Sequence, residues 1–255
     1  MTEKLKYNIK TILLFSISAV LMIVLITITG YKNVSRQVAN VKVEIKDQRG
    51  DFFTDQLEIV DLINDKGGDY VLGLPVGKLD LNMLEARVEK HPFVKDAQVY
   101  KDIQGNLMVK VEQARPLARI FEKGAADHYI DENGTLLPTV TKHTSRVLIL
   151  ELEHKFSWGK NIQETDYGKD LLKLLQYIDQ HEFWRAQIAG IVVQRGGELV
   201  LLPQVTKQEV DFGMPVDYEE KFRKLKLFYT EVLPNKGWNT YERVNVKFDN
   251  QLICK

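Results

Sequence analysis

The chain has very little cysteine: Cys254 is its only one. A lone thiol excludes an internal disulfide framework and any cysteine-rich zinc site. Neither sign of charge is in surplus, with 35 Lys and Arg against 35 Asp and Glu. Nucleic-acid binders ordinarily carry an excess of positive charge to neutralise phosphates, so that class is set aside. The sequence contains no Gly-x-Ser-x-Gly elbow, Walker loop or dinucleotide fingerprint, and no internal repeat or low-complexity linker. What remains is an ordinary globular composition, 44% apolar and 27% charged, which argues against wholesale disorder.

Long hydrophobic runs are confined to one place. From Thr11 to Tyr31 there are 21 residues without a charge. As a helix rising about 1.5 Å per residue, the stretch measures roughly 31 Å, matching a bilayer core of about 30 Å. A cleaved signal peptide has a shorter apolar region of about 7–15 residues and a small-x-small cleavage site. Here the nearest candidate, Gln37-Val38-Ala39, begins with a bulky Gln. The expectation is one uncleaved transmembrane helix over 11–31, after a cytoplasmic head at 1–10 and before a juxtamembrane linker at 32–40. Flanking charge does not set the orientation: Lys4, Lys6 and Lys10 precede the run, while Lys32, Arg36, Lys42 and Lys46 follow it. A short head before one span suits a signal anchor whose body lies outside the cytoplasm. With Lys4, Lys6, Lys10 and Glu3 set aside, acids outnumber bases by two, so the body is not built to grip anionic lipid.

The body divides by pattern into two parts, and the fold class expected is α+β. Residues 41–114 read strand, helix, helix, strand, strand. Val41 to Ile45 alternates apolar and polar residues. Thr54 offers an N-cap to a helix facing inward through Leu57, Val60 and Ile63, and Asp80 offers one to a helix carrying Leu81, Leu84 and Val88. His91-Pro92 ends the second helix. Ala97 and Val99 then alternate with polar neighbours, Gly105-Asn106 turns the chain, and Leu107, Val109 and Val111 share one face. Residues 115–250 read as a mainly antiparallel β domain with two helices, near 167–181 and 217–233. Asn133-Gly134 and Gly196-Gly197 mark hairpins. The last strand is expected at 242–248, and 251–255 is left as a tail.

Candidate chemistry is sparse. Glu151-Leu152-Glu153-His154 matches no metal-ligand spacing and reads as a solvated strand end. The acid pairs Asp131-Glu132 and Glu219-Glu220 sit where a turn and a helix N-terminus favour acid. Lys221, Arg223, Lys224 and Lys226 read as a polar helix face with stems packed along it, with partner binding as the alternative. No catalytic, cofactor-binding or metal residue is assigned. A short, alternating strand late in the chain can lie at a sheet edge. The stretch Val244 to Asn250 has only Lys247 and no proline to block such an edge, so a partner strand could add there.

The layout resembles the FtsQ/DivIB family of bacterial cell-division proteins. The local likeness is strongest at His91-Pro-Phe-Val-Lys-Asp-Ala-Gln-Val99. It continues through Asn106 to Val111, Gln113 to Ala118, Tyr129 to Gly134 and Val244 to Asn250. Phe93 stands where that family usually has tryptophan, and Gln113-Ala114 where Glu-Arg is usual, which marks a divergent branch. The resemblance implies a POTRA domain followed by a β domain outside the inner membrane. It also implies a non-enzymatic role without cofactor or small-molecule substrate. The implied partners are FtsB- and FtsL-like proteins at the division septum, where the protein would help place septal wall synthesis. Lys247, Phe248 and Asn250 fall where the FtsB-like partner adds its strand. With Val244, Val246 and Tyr229 they form the expected partner-binding set, with Phe248 as the anchor. The competing reading of Phe248 is that it closes the core. Two other functions are weighed: a POTRA-containing transport or assembly factor, which needs a barrel that the helix-rich remainder does not suggest, and an anchored cell-wall enzyme, which needs a convergent His and carboxylate set.

Overall fold

The computed structural model describes residues 13–25, 37–46, 52–65, 70–156 and 158–255. A helix, α1, covers 13–25. The expected span over 11–31 lies partly outside the described residues, at 11–12 and 26–31. Among the described residues no helix is long and apolar enough to cross a membrane. The chain forms two compact units: residues 1–47 with 54–113, and residues 48–53 with 114–255.

In the first unit, β1 (Val41–Lys46), β2 (Val94–Lys101) and β3 (Leu107–Gln113) form a sheet in the order β1-β3-β2. Strand β3 is central, antiparallel to β2 and parallel to β1, with Val41 opposite Leu107. The α2 (Gln56–Ile63) and α3 (Leu81–Val88) helices supply Ile59, Ile63, Leu84 and Val88 to a core shared with Val99, Leu107, Val109 and Val111. Asp80 caps α3 as expected, accepting from the Met83 amide.

Three expectations need correcting here. The α2 cap is Asp55, accepting from the Glu58 amide, because Thr54 is buried and its hydroxyl is turned to Glu58. Leu57 is 77% exposed; the inward face runs through Ile59 and Ile63, which sit one above the other at i,i+4. Finally, the linker proposed for 32–40 ends earlier. Val38 is a core residue that exchanges backbone hydrogen bonds with Gly73 and Leu74.

The second unit is a nine-stranded sheet in the order β12-β11-β10-β9-β8-β7-β4-β5-β6. Its strands are β4 (Pro116–Glu122), β5 (His128–Asp131), β6 (Leu136–Pro138), β7 (Leu148–Leu152), β8 (Ile188–Val193), β9 (Leu199–Pro203), β10 (Glu209–Gly213), β11 (Arg243–Asn245) and β12 (Ile253–Cys254). The sheet is mixed. Pairs β4–β7, β7–β8 and β10–β11 are parallel and the other five antiparallel, so the sheet is mainly antiparallel as expected, with parallel pairs at β4–β7–β8 that the sequence did not signal. Parallel neighbours need a crossover. Helices α4 (Asp166–Gln180) and α5 (Glu182–Gln187) connect β7 to β8, and α6 (Tyr218–Leu227) opens the connection from β10 to β11.

Helix α4 buries Leu171, Leu172, Leu174, Leu175 and Ile178. Its third residue must be glycine, since a Cβ at Gly168 would come within 1.8 Å of the Ile162 carbonyl oxygen. After α6 the chain makes a π-helical turn (Phe228–Val232) and then α7 (Leu233–Lys236). Pro234 accounts for the break, because it has no amide hydrogen and its ring clashes with the carbonyl four residues earlier.

The C-terminus departs most from expectation. The strand placed at 242–248 is regular only over Arg243–Asn245. The chain then turns at 248–250 and returns as β12, antiparallel to β11, with Val244 opposite Cys254. The supposed tail is therefore the edge strand.

Candidate partner-binding edge

Two buried lysines on α6 hold backbone carbonyls, and one of them, Lys224, explains why β11 stops where it does. The Lys224 ammonium donates to the carbonyl of Val246 at 2.8 Å and to that of Phe248 at 2.6 Å. A backbone whose carbonyls are held by one ammonium is not free to extend a ladder. The Val246 amide still donates to Asp211 of β10, so the segment is tethered on both sides. Lys221 donates to the carbonyl of Met214 at 2.8 Å and lies 5.0 Å from the Phe212 ring centroid. Burial pushes its pKa down. These contacts correct the picture of a solvated basic face. Lys221 and Lys224 point inward among Phe222 and Leu225, while Arg223 and Lys226 stay exposed.

Beyond the clamp, the Lys247 amide donates to the Asn245 side chain and its ammonium pairs with Glu198 at 3.0 Å. The Lys247 stem lies over Gly213, which at φ +76° has no side chain to obstruct it. Asn250 adopts φ +53°, a left-handed conformation that asparagine tolerates better than most residues. That residue lets the chain reverse into β12.

The sheet edge follows from the hydrogen bonding. Arg243 and Lys255 exchange both backbone bonds, so by antiparallel alternation Cys254 turns its amide and carbonyl away from β11. Leu252 and Cys254 pack on the core side, whereas Ile253 is exposed. This outward backbone can accept another strand.

The expected partner-binding residues separate into two groups. Val244 and Val246 are fully buried core residues, and Tyr229 is buried against Phe183, Trp184, Phe228 and Trp238. Burial raises the Tyr229 pKa. Lys247, Phe248 and Asn250 lie on or near the surface, with Phe248 51% exposed and outside the core cluster. Sequence reasoning missed Lys224 and β12. The signal for Lys224 was its place directly before Leu225 on the inward stripe; β12 is too short to carry a periodicity.

The acid pairs do structural work. Asp131 accepts from the amides of Asn133 and Thr135, Glu132 binds Arg115, and Glu220 binds Arg223. Among the described residues no cluster of His, Cys, Asp or Glu could hold a metal.

The two units define a class: a small three-stranded POTRA-like unit with two helices, followed by a mixed-sheet unit with helical crossovers. Residues 36–112 match the POTRA-like domain, and residues 115–255 match the family described as FtsQ/DivIB, C-terminal related. The chain belongs to the FtsQ/DivIB family. It is 24% identical over 187 residues to a protein named cell division protein FtsQ from Rhodothermus marinus, covering 72% of this chain and 68% of that one. It is 25% identical over 183 residues to another of that name from Salinibacter ruber, covering 66% of this chain and 67% of that one. A role in cell division follows from this kinship.

Proposed function

We propose that the chain is a non-enzymatic division scaffold that binds FtsB- and FtsL-like partners outside the cytoplasmic membrane and helps bring septal wall synthesis to the division site. In this reading 11–31 spans the inner membrane once, 1–10 stays in the cytoplasm, and residues 32–255 stand outside it. The observation that carries the proposal is the outward backbone of β12, next to a turn that exposes Phe248. A partner strand adding there would gain main-chain hydrogen bonds, with Phe248 as a side-chain anchor. Lys247 and Asn250 shape the turn, Val244 and Val246 root it in the core, and Tyr229 lies buried in the same core. In the POTRA-like unit, β1 is the better docking edge. The β2 edge is partly closed, because the Val99 amide donates to the Glu85 carboxylate at 2.7 Å.

The test is co-purification of the FtsB- and FtsL-like proteins of the same organism with the full-length chain carrying Cys254→Pro or Phe248→Ala. Proline removes the outward donor and leaves the 243–255 and 245–253 bonds to β11 in place. Partner recovery should fall at least about tenfold in each variant, since hot-spot truncations cost about 2 kcal/mol or more. Parental recovery from both folded variants would refute the edge reading.

A further inference from the structure

A second surface of the 114–255 unit carries a different binding chemistry. A cavity of about 480 Å³ opens beside the starts of β7 and β8, under the C-terminal half of α4. Its wall includes Leu148, Ile149 and Ile188, and three arginines line it: Arg119, Arg146 and Arg185. The arginines are not equivalent. Arg119 is held by Asp127. Arg185 donates to the carbonyl oxygen of Asp179 and has no carboxylate partner among the described residues. The Asp179 carboxylate, which also faces the cavity, is bound to Arg115 at 2.7 Å. Arg146 is exposed, and no hydrogen bond or ion pair holds it among the described residues. Ile149 is 51% exposed although β7 is paired on both sides. The backbone of Ile149 is therefore satisfied within the sheet, and its side chain is what it offers to the cavity.

We infer that this cavity binds an acidic, aliphatic peptide segment of a partner protein. An aliphatic side chain would seat on Ile149 and Ile188, and a neighbouring carboxylate would be taken by Arg146 and Arg185. Guanidinium presents a planar fork of donors that matches a carboxylate, and it is more weakly hydrated than an ammonium, so it suits a partly dry wall. Two guanidiniums without carboxylate partners beside apolar surface give the charge complementarity. The volume lies within the roughly 300–1,000 Å³ of ligand clefts. No lining residue comes from β10, β11 or β12, so the site does not depend on the strand-addition reading.

The test uses the full-length chain in detergent and a fluorescein-labelled nonapeptide alternating leucine and glutamate. Its counterpart with glutamine in place of glutamate is the control. Anisotropy should show the glutamate peptide binding at least about tenfold more tightly than the glutamine peptide, a gap that narrows as salt is added. Arg146→Ala and Ile149→Glu, at exposed positions where the far-ultraviolet circular dichroism should match the parent's, should each weaken it about tenfold. Cys254→Pro should leave it unchanged. The proposal is overturned by equal affinity for the two peptides, by no binding, or by parental affinity in both cavity variants. Loss of binding through Cys254→Pro alone would move the peptide to the sheet edge. Competition by phosphatidylglycerol vesicles but not by unlabelled peptide would assign the site to lipid.

Discussion

Replacing Lys224 by methionine should destabilise the 114–255 unit by about 2–4 kcal/mol. The ammonium is buried and donates to two carbonyls, at 2.8 and 2.6 Å. A hydrogen bond involving a charged group contributes about 1.5–3 kcal/mol, so two give a gross loss of roughly 3–6. Part is returned, because methionine fills similar space without the desolvation cost of a buried charge. Urea unfolding followed by tryptophan fluorescence reads this unit selectively, since all three tryptophans, Trp158, Trp184 and Trp238, lie within it. The midpoint should fall with the slope unchanged. Lys226→Met, on the exposed face of the same helix, should stay within about 0.5 kcal/mol of the parent. An unchanged midpoint in Lys224→Met would refute the clamp and free the account of why β11 stops from α6.

The turn into β12 depends on a left-handed residue, so Asn250→Ala should cost about 1 kcal/mol in the same assay while Asn250→Gly costs little. Burial raises the pKa of Asp131 despite its turn hydrogen bonds. The folded state therefore holds that proton more tightly than the unfolded state. Its contribution is full below the ordinary carboxylate value and is lost as pH rises through the raised one. Asp131→Asn, measured by urea midpoints from about pH 4 to about pH 7, should accordingly lose less stability over that range than the parent. Glu85→Ala should uncap the Val99 amide and speed its hydrogen exchange, with the β3 amides opposite unchanged; equal protection would show that Glu85 does not hold the β2 edge.

Legibility in the sequence followed the number of residues that share a signal. Helix α4 was readable because Leu171, Leu174, Leu175 and Ile178 repeat on one face; the Thr165 cap and the burial of Leu172 came from the structure. Strand β3 was readable because Leu107, Val109 and Val111 alternate around a glycine turn. Helix α2 was half readable: its existence followed from its apolar content, but the cap was placed one residue early at Thr54 and Leu57 drew the inward face to the wrong side. Helix α5, with six residues, offers less than two turns of periodicity and passed unnoticed. The C-terminal strand that carries most of the expected partner-binding set was legible as a region. Which of its members face outward was not, since alternation alone does not say where a strand stops.

The sequence by itself determined that there is one long apolar run and two patterned segments, α+β in kind, with hairpins at Gly105, Gly134 and Gly197. Those are local matters, decided by spacing, capping and the conformational freedom of glycine. Only the tertiary structure decided the parallel centre of the large sheet, because strand neighbours are chosen by which faces the crossover helices must cover. It also decided the edge. Lys224 is separated by more than twenty residues from the carbonyls it holds. No local pattern could reveal that this contact ends β11, exposes Phe248 and leaves Cys254 with its backbone turned outward.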